Sequence, residues 1–136
     1  MKINNTPGAI PTGTTTGTRI RKIELENRQT LEIFDLSRKI SADAYVVIMQ
    51  ATMEIKVDPD LFDEGLLSGL TIDEIRGTLG EKVIYEYRLE RNFILNHEKD
   101  QVLASLVDTF LKNMGQYIAH PRFASKLVLK QFKDRK

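Results

Sequence analysis

The segment AYVVIMQATMEIKV, residues 44 to 57, is the feature that most constrains the fold of this chain. Every second residue from Tyr45 to Val57 is apolar, and this period of two is typical of a β-strand with one face against a core. The alternate positions are apolar only at Val46 and Ile48, after which they become polar. We therefore predict a long strand with one apolar first face and a second face that is apolar only near its beginning.

Two shorter strands precede this long strand in the sequence. Ile23 and Leu25 alternate with polar residues in the first, and Leu31 and Ile33 do so in the second. Directly opposed residues of an antiparallel pair lie on the same face of a sheet. Pairing Leu25 with Leu31 and Ile23 with Ile33 therefore predicts a hairpin whose three-residue loop is 27–29.

A short helix is predicted after the long strand, at residues 72–79. Asp58-Pro59-Asp60 ends the strand, because proline cannot donate a hydrogen bond to a sheet ladder. Thr71 and Glu74 have the spacing of a capping box, and Gly80 can end the helix.

The rest of the chain is predicted to form a fourth strand and two further helices. Residues 83–90 alternate again, and Asn96 is a candidate cap for a long helix that continues to Ile118. A last helix is predicted at about 121–132, with an edge strand as the alternative for KLVLKQF. The apolar residues that recur at three- and four-residue steps in the long helix are Val102, Leu103, Leu106, Phe110, Met114 and Tyr117.

The order of elements is β-β-β-α-β-α-α, which predicts an α+β fold. We expect a four-stranded antiparallel sheet with the long C-terminal helix packed on one face. Residues 1–18 are rich in threonine, glycine and proline and are predicted to be a flexible tail. Residues 19–136 are then long enough to form a single domain with its own core.

The composition makes several chemistries improbable. The chain has no cysteine, which excludes disulfides and thiolate chemistry, and only two histidines. His97-Glu98 begins like a zinc-protease motif, but Gln101 stands where the second histidine would be needed and His120 is far along the helix. We therefore predict no catalytic residues, no metal site and no cofactor, and an enzyme is the least favoured class.

Charge and hydropathy set expectations about location and partners. The net charge of +1 gives no overall electrostatic field that would attract nucleic acid. We therefore do not expect nucleic acid as a partner. The N-terminus lacks the pattern of a secretory signal, and no run of about 18 apolar residues is present, so no transmembrane segment is predicted. We expect a cytoplasmic protein.

A surplus of apolar residues on the second face of the sheet points to an interaction surface. An apolar cluster of this size rarely faces water in a monomer, so either the terminal helix or another protein should cover it. This pattern favours a non-enzymatic protein-interaction module whose partner is another protein or a second copy in a homodimer. The residues assigned to this surface are Phe34, Leu36, Val46, Ile48 and Ile84.

Two alternative functions rest on other residues. Arg91 falls on the apolar side of the fourth strand, so Arg91, Tyr85 and Tyr87 could bind a small anionic ligand between the sheet and the long helix. The C-terminal residues 119–136 contain six Lys/Arg and one Asp, whereas residues 54–74 contain seven Asp/Glu and one Lys. A basic stripe could therefore bind nucleic acid or an anionic membrane surface; it comprises Arg122, Lys126, Lys130 and Lys133.

Overall fold

The structure, a computed structural model, describes residues 17–62 and 69–135. Most of the predicted tail, residues 1–16, lies outside this part, whereas Thr18 already belongs to the first strand. The strands are β1 (Thr18–Glu24), β2 (Thr30–Asp35), β3 (Arg38–Ser41), β4 (Ala44–Lys56) and β5 (Lys82–Leu95). The α-helices are α1 (Ile72–Leu79), α2 (Lys99–Ala119) and α3 (Phe123–Arg135), and short 3-10 turns span Pro59–Leu61 and Asn96–Glu98.

The five strands form one antiparallel sheet built around β4, which confirms the predicted α+β fold. β2 and β3 pair with successive parts of one edge of β4, β5 pairs with the other edge, and β1 pairs with β2. The prediction of four strands was one short, because β3 was missed. Its sequence, RKIS, is four residues long and exposed throughout, so it carries no apolar alternation.

The β1–β2 hairpin has a different register from the predicted one. Ile23 pairs with Leu31, not with Ile33, and the backbone bond from Leu25 N to Gln29 O leaves residues 26–28 as the loop. Arg28 occupies the left-handed region there, with φ 70°. The register differs by two residues, and since strand side chains alternate with a period of two, the predicted apolar residues still share one face.

The core lies between the first face of the sheet and the three helices. The alternate apolar residues of β4 are buried as predicted from Val47 to Val57, and Tyr45 packs against the same cluster. α1 occupies the predicted residues, with the capping box of Thr71 and Glu74 formed and Gly80 at φ 86° at its end. Residues 123–135 are helical, which settles the choice between helix and edge strand.

Two details of the long helix differ from prediction. Asn96 does not cap it: its side-chain Nδ2 donates to the carbonyl of Ala42 at 3.1 Å, and α2 begins three residues later without a side-chain cap. Tyr117 is 61% exposed, and the buried residue in the last turn is Ile118. The apolar residues at three- and four-residue steps therefore predict the helix correctly, but its last core residue is Ile118 and not Tyr117.

Candidate interaction surface

The second face of the sheet carries a small apolar group separate from the main core. Phe34, Val46 and Ile48 are buried but do not belong to the cluster beneath the helices. The buried apolar residues of α1, α2 and α3 all belong to that first-face cluster. The terminal helix therefore does not cross the second face.

The structure brings four of the five predicted surface residues together. Phe34 pairs with Gln50, and Leu36 N donates to the carbonyl of Ile48 at 3.0 Å, which sets both beside the Val46–Ile48 part of β4. Ile84 pairs with Glu54, six residues further along β4 than Ile48, or roughly 20 Å at strand spacing. Ile84 thus lies apart from the other four.

A β-bulge in β5 lies beside this group. Tyr45 pairs with Ile94 and Val47 pairs with Arg91, so two residues, Asn92 and Phe93, stand opposite Val46. Phe93 has φ 55°, a left-handed backbone conformation that is a genuine outlier for a bulky residue. Backbone strain of this kind clusters at functional sites, where the surrounding structure maintains it.

The bulge presents large apolar side chains to solvent. Phe93 is 78% exposed, Leu95 is 45% exposed, and Ile40 of β3 is 40% exposed. β3 and β5 flank β4 here, so the two strands lie about 10 Å apart across the sheet. We name Ile40, Phe93 and Leu95 the bulge-end patch.

Cations lie near the bulge-end patch, on both faces of the sheet, without ionic partners in the described part of the chain. Arg38 pairs with Val46 across β3 and β4, and Arg91 precedes the bulge; neither forms an ion pair with a described carboxylate. Lys39 Nζ lies 5.6 Å from the centre of the Tyr45 ring. The nearby carboxylate of Asp43 accepts a hydrogen bond from the Ser41 hydroxyl.

The three residues of the predicted anion site do not converge. Tyr85 pairs with Met53 and Arg91 pairs with Val47, so about 20 Å of strand separates the two side chains. The ring of Tyr87 packs on Phe110 with centroids 5.2 Å apart. Arg91 is exposed, and its guanidinium donates to the carbonyl of the preceding residue at 3.0 Å.

Tyr85 is the one residue of that set with an unusual environment. Its ring packs edge-on against Phe123, and its hydroxyl is buried without a hydrogen-bond partner among the described residues. Burial, with a smaller contribution from the neighbouring Tyr87 and Tyr117 hydroxyls, raises the pKa of Tyr85 to about 12. An unpaired buried hydroxyl costs folding free energy and does not by itself form a binding site.

We expect Tyr85→Phe to stabilise the protein by about 1 kcal/mol near neutral pH, because it removes the unpaired hydroxyl and keeps the ring. The folded-state pKa of about 12 exceeds the ordinary value of 10.0, so between these pH values the unfolded chain loses a proton that the folded chain retains. Stability of the native protein should therefore fall more steeply above pH 10 than that of the variant. Urea unfolding at neutral and alkaline pH measures both effects. Tyr117→Phe, at an exposed ring, is the control, and equal stability of Tyr85→Phe and the native protein would contradict the account.

The predicted basic stripe faces solvent, with Arg122 just before α3 and the three lysines on it. Arg122, Lys126, Lys130 and Lys133 are all exposed, whereas Val128 and Phe132 on the opposite side are buried in the core. Lys130 forms an ion pair with Asp134 one turn later, at 3.1 Å. This arrangement is that of a solvated outer face, and binding of an anionic surface by the stripe remains a prediction.

A cleft of about 670 Å³ lies where α1 meets the ends of β4 and β5. Its charges are balanced between acidic and basic side chains, and Lys82 pairs with Glu54 across it at 3.2 Å. Arg76 donates to the carbonyl of Val57 at 2.9 Å and is thereby held against the sheet. The cleft therefore offers no concentrated charge for an ionic ligand.

Within residues 17–62 and 69–135, no three side chains of the metal-ligating types come together. None of the helices in that part is both long and apolar enough to cross a membrane. Comparisons with protein-family models, with curated proteins and with solved structures each found no match.

Proposed function

We propose that this chain is a non-enzymatic protein-interaction module that binds an apolar segment with acidic flanks from another protein. The observation that carries the proposal is Phe93, a large aromatic side chain held in solvent by a left-handed backbone at a β-bulge. A bulge can redirect a side chain, and such features persist where they have a role. The absence of cysteine from the sequence suits a reducing compartment, and we place the protein in the cytoplasm.

The chemistry of the partner follows from the patch and its rim. Ile40, Phe93 and Leu95 supply an apolar anchor site, and aromatic anchors dominate the binding energy of many protein interfaces. Arg38 lies on the face of Val46 and Arg91 on the opposite face at the start of the bulge. Both favour carboxylates, because complementary charge steers association and selects the partner. A second copy of this chain would bring the same cations to the same place, so we assign the patch to a different protein.

A selection experiment tests this proposal before the partner is identified. A phage-displayed library of random peptides is selected on the immobilised native protein, and binding of the enriched peptides is measured by fluorescence polarisation. We expect peptides with aromatic or aliphatic residues beside Asp or Glu, and weaker binding at high salt. Peptides that bind Phe93→Ala as tightly as the native protein, or no enrichment at all, would contradict the proposal.

Phe93→Gly separates the backbone strain at the bulge from the contribution of the Phe93 ring to peptide binding. Glycine adopts positive φ without strain, so we expect the variant to be more stable than the native protein by about 0.5–1 kcal/mol in urea unfolding. Phe93→Ala also removes the ring but keeps an L-residue at positive φ, and it should show no such gain. Both variants should lose peptide binding. A Phe93→Gly protein that is less stable than Phe93→Ala would argue against stored backbone strain.

A further inference from the structure

The outer edge of β5 is the longest unpaired edge in the described sheet. β5 has 14 residues and pairs only with β4. Val57 N donates to the carbonyl of Glu81 at 2.8 Å, and hydrogen-bonded pairs alternate along an antiparallel ladder. Odd-numbered residues of β5 up to Arg91 therefore point their amides and carbonyls at β4, and the even-numbered residues point theirs outward. The outward-pointing residues before the bulge are Lys82, Ile84, Glu86, Arg88 and Glu90.

No described residue supplies a backbone hydrogen bond to this edge. Its far end lies at Glu90, whose outward carbonyl accepts a hydrogen bond from the guanidinium of Arg91, and the bulge follows immediately. Bulges and charged side chains are common devices for terminating an edge. The unpaired edge before the bulge therefore covers residues 82–90, and it has the length of an ordinary strand.

The charges at the centre of this edge favour one way of pairing two copies. Two antiparallel β5 strands centred on Tyr87 bring Glu86 opposite the partner's Arg88, and by symmetry this pair occurs twice. Centring on Glu86 instead sets that residue against the partner's Glu86, and centring on Arg88 sets two arginines together. Opposite charges directly across a strand pair are favourable and like charges are unfavourable.

The Glu86 carboxylate has no ion-pair partner among the described residues of its own copy, which independently favours a cation from a second copy. Within the described residues, Arg88 pairs with Glu90 at 3.5 Å and Lys82 pairs with Glu54, but Glu86 forms no ion pair. Its neighbour across β4 is Thr52, and its side chain is exposed. The carboxylate at the centre of the open edge thus faces solvent without a cation from the described part of the protomer.

We propose that this protein forms a homodimer by antiparallel pairing of β5 with β5 of a second copy, about a two-fold axis at Tyr87. The axis is normal to the sheet, so the two five-stranded sheets join into one sheet of ten strands with both second faces on the same side. On the first face, Tyr87 meets the partner's Tyr87, and Tyr85 meets the partner's Leu89. The dimer surface is separate from the bulge-end patch, so either can exist without the other.

Charge exchange tests both the dimer and its register by sedimentation velocity over a range of concentrations. Glu86→Arg and Arg88→Glu each replace two attractive pairs with two repulsive ones, and each should weaken dimerisation at least about tenfold. A mixture of the two variants should restore the dimer, because the arginine introduced in one copy faces the glutamate introduced in the other. Glu24→Arg on β1 makes the same charge change away from β5 and should leave the dimer unchanged.

Replacing Arg88 also removes its hydrogen bonds to Gln50 within one copy. A proline variant at Glu86 tests the dimer and leaves those hydrogen bonds in place. The amide of Glu86 points outward, so Glu86→Pro removes a donor to the partner strand while leaving the ladder to β4 intact. We expect this variant to be a folded monomer by sedimentation and by circular dichroism. A native protein that is monomeric at high micromolar concentration overturns the proposal. A dimer that is equally strong in Glu86→Arg, Arg88→Glu and Glu86→Pro overturns it as well.

Discussion

Phe110→Ala is expected to lower the free energy of unfolding by about 3–5 kcal/mol, the typical cost of truncating a buried aromatic residue. Phe110 is 1% exposed, lies on the inward side of α2 and packs its ring on Tyr87 of β5. The substitution leaves a cavity between the helix and the sheet that neighbouring side chains fill only in part. Urea denaturation followed by circular dichroism measures the loss.

Tyr117→Ala is the matched control for Phe110→Ala, because it removes an aromatic ring from the same helix at a 61% exposed position. We expect it to cost about 1 kcal/mol or less, chiefly through the edge-on contact with Phe123. If the two variants lost similar stability, α2 would not be packed on the sheet through its Phe110 side.

Asn27→Ala is expected to destabilise the protein by about 1–3 kcal/mol, a large effect for a residue in a hairpin loop. Its Nδ2 donates to the carbonyls of Ile118 at 2.8 Å and His120 at 3.0 Å, and its Oδ1 accepts from the amide of Gln29 at 3.1 Å. The last carbonyls of an α-helix have no partner within the helix. Asn27 therefore joins the β1–β2 loop to the end of α2.

Two further variants separate the parts of this interaction. Asn27→Asp keeps an acceptor for the Gln29 amide but loses the donor and brings negative charge to the negative end of the helix dipole, so we expect at least an equal loss. Gln29→Ala, directly after the same loop, keeps the backbone contacts and should cost little. Equal stabilities of Asn27→Ala and Gln29→Ala, measured by thermal unfolding, would show that the link to α2 contributes nothing.

The same loop shows why the sequence predicts the strands of this protein better than their register. Alternation identified β1, β2 and the apolar face they share, because a period of two is a local property. The register depends on which residues form the loop, and Asn27 was predicted to be one end of a loop at 27–29. Its contacts with α2 and the left-handed conformation of Arg28 select 26–28 instead. Neither can be inferred from residues 20–35 alone.

Long-range contacts also explain the other differences from prediction. Asn96 has the residue type of a helix cap, but its amide and side chain bond to the β3–β4 turn, which itself was not predicted. The alternation of the fourth strand was recognised only over residues 83–90. The bulge at residues 92–93 resets the alternation, and the strand continues to Leu95.

The bulge-end patch was not predicted, because the surface assigned from the sequence comprised Phe34, Leu36, Val46, Ile48 and Ile84. The apolar surplus at Phe34, Leu36, Val46 and Ile48 followed from alternation, and β4 places Val46 and Ile48 opposite its core residues. Phe93 is the most exposed large apolar residue of the described chain. Its left-handed conformation could not be predicted, because the position holds neither glycine nor asparagine, the residue types that favour a positive φ. The outer edge of β5 became visible only once the strand order was known.

Backbone amide chemical-shift mapping by NMR tests the central claim that the bulge-end patch binds the partner. The isotope-labelled native protein is titrated with a peptide selected for an aromatic residue beside acidic residues. We predict fast-exchange or slow-exchange shifts confined to residues 38–46 of β3 and β4 and 91–95 of β5, absent in Phe93→Ala. Shifts centred on α3, on the cleft beside α1, or on Tyr85 would contradict the claim.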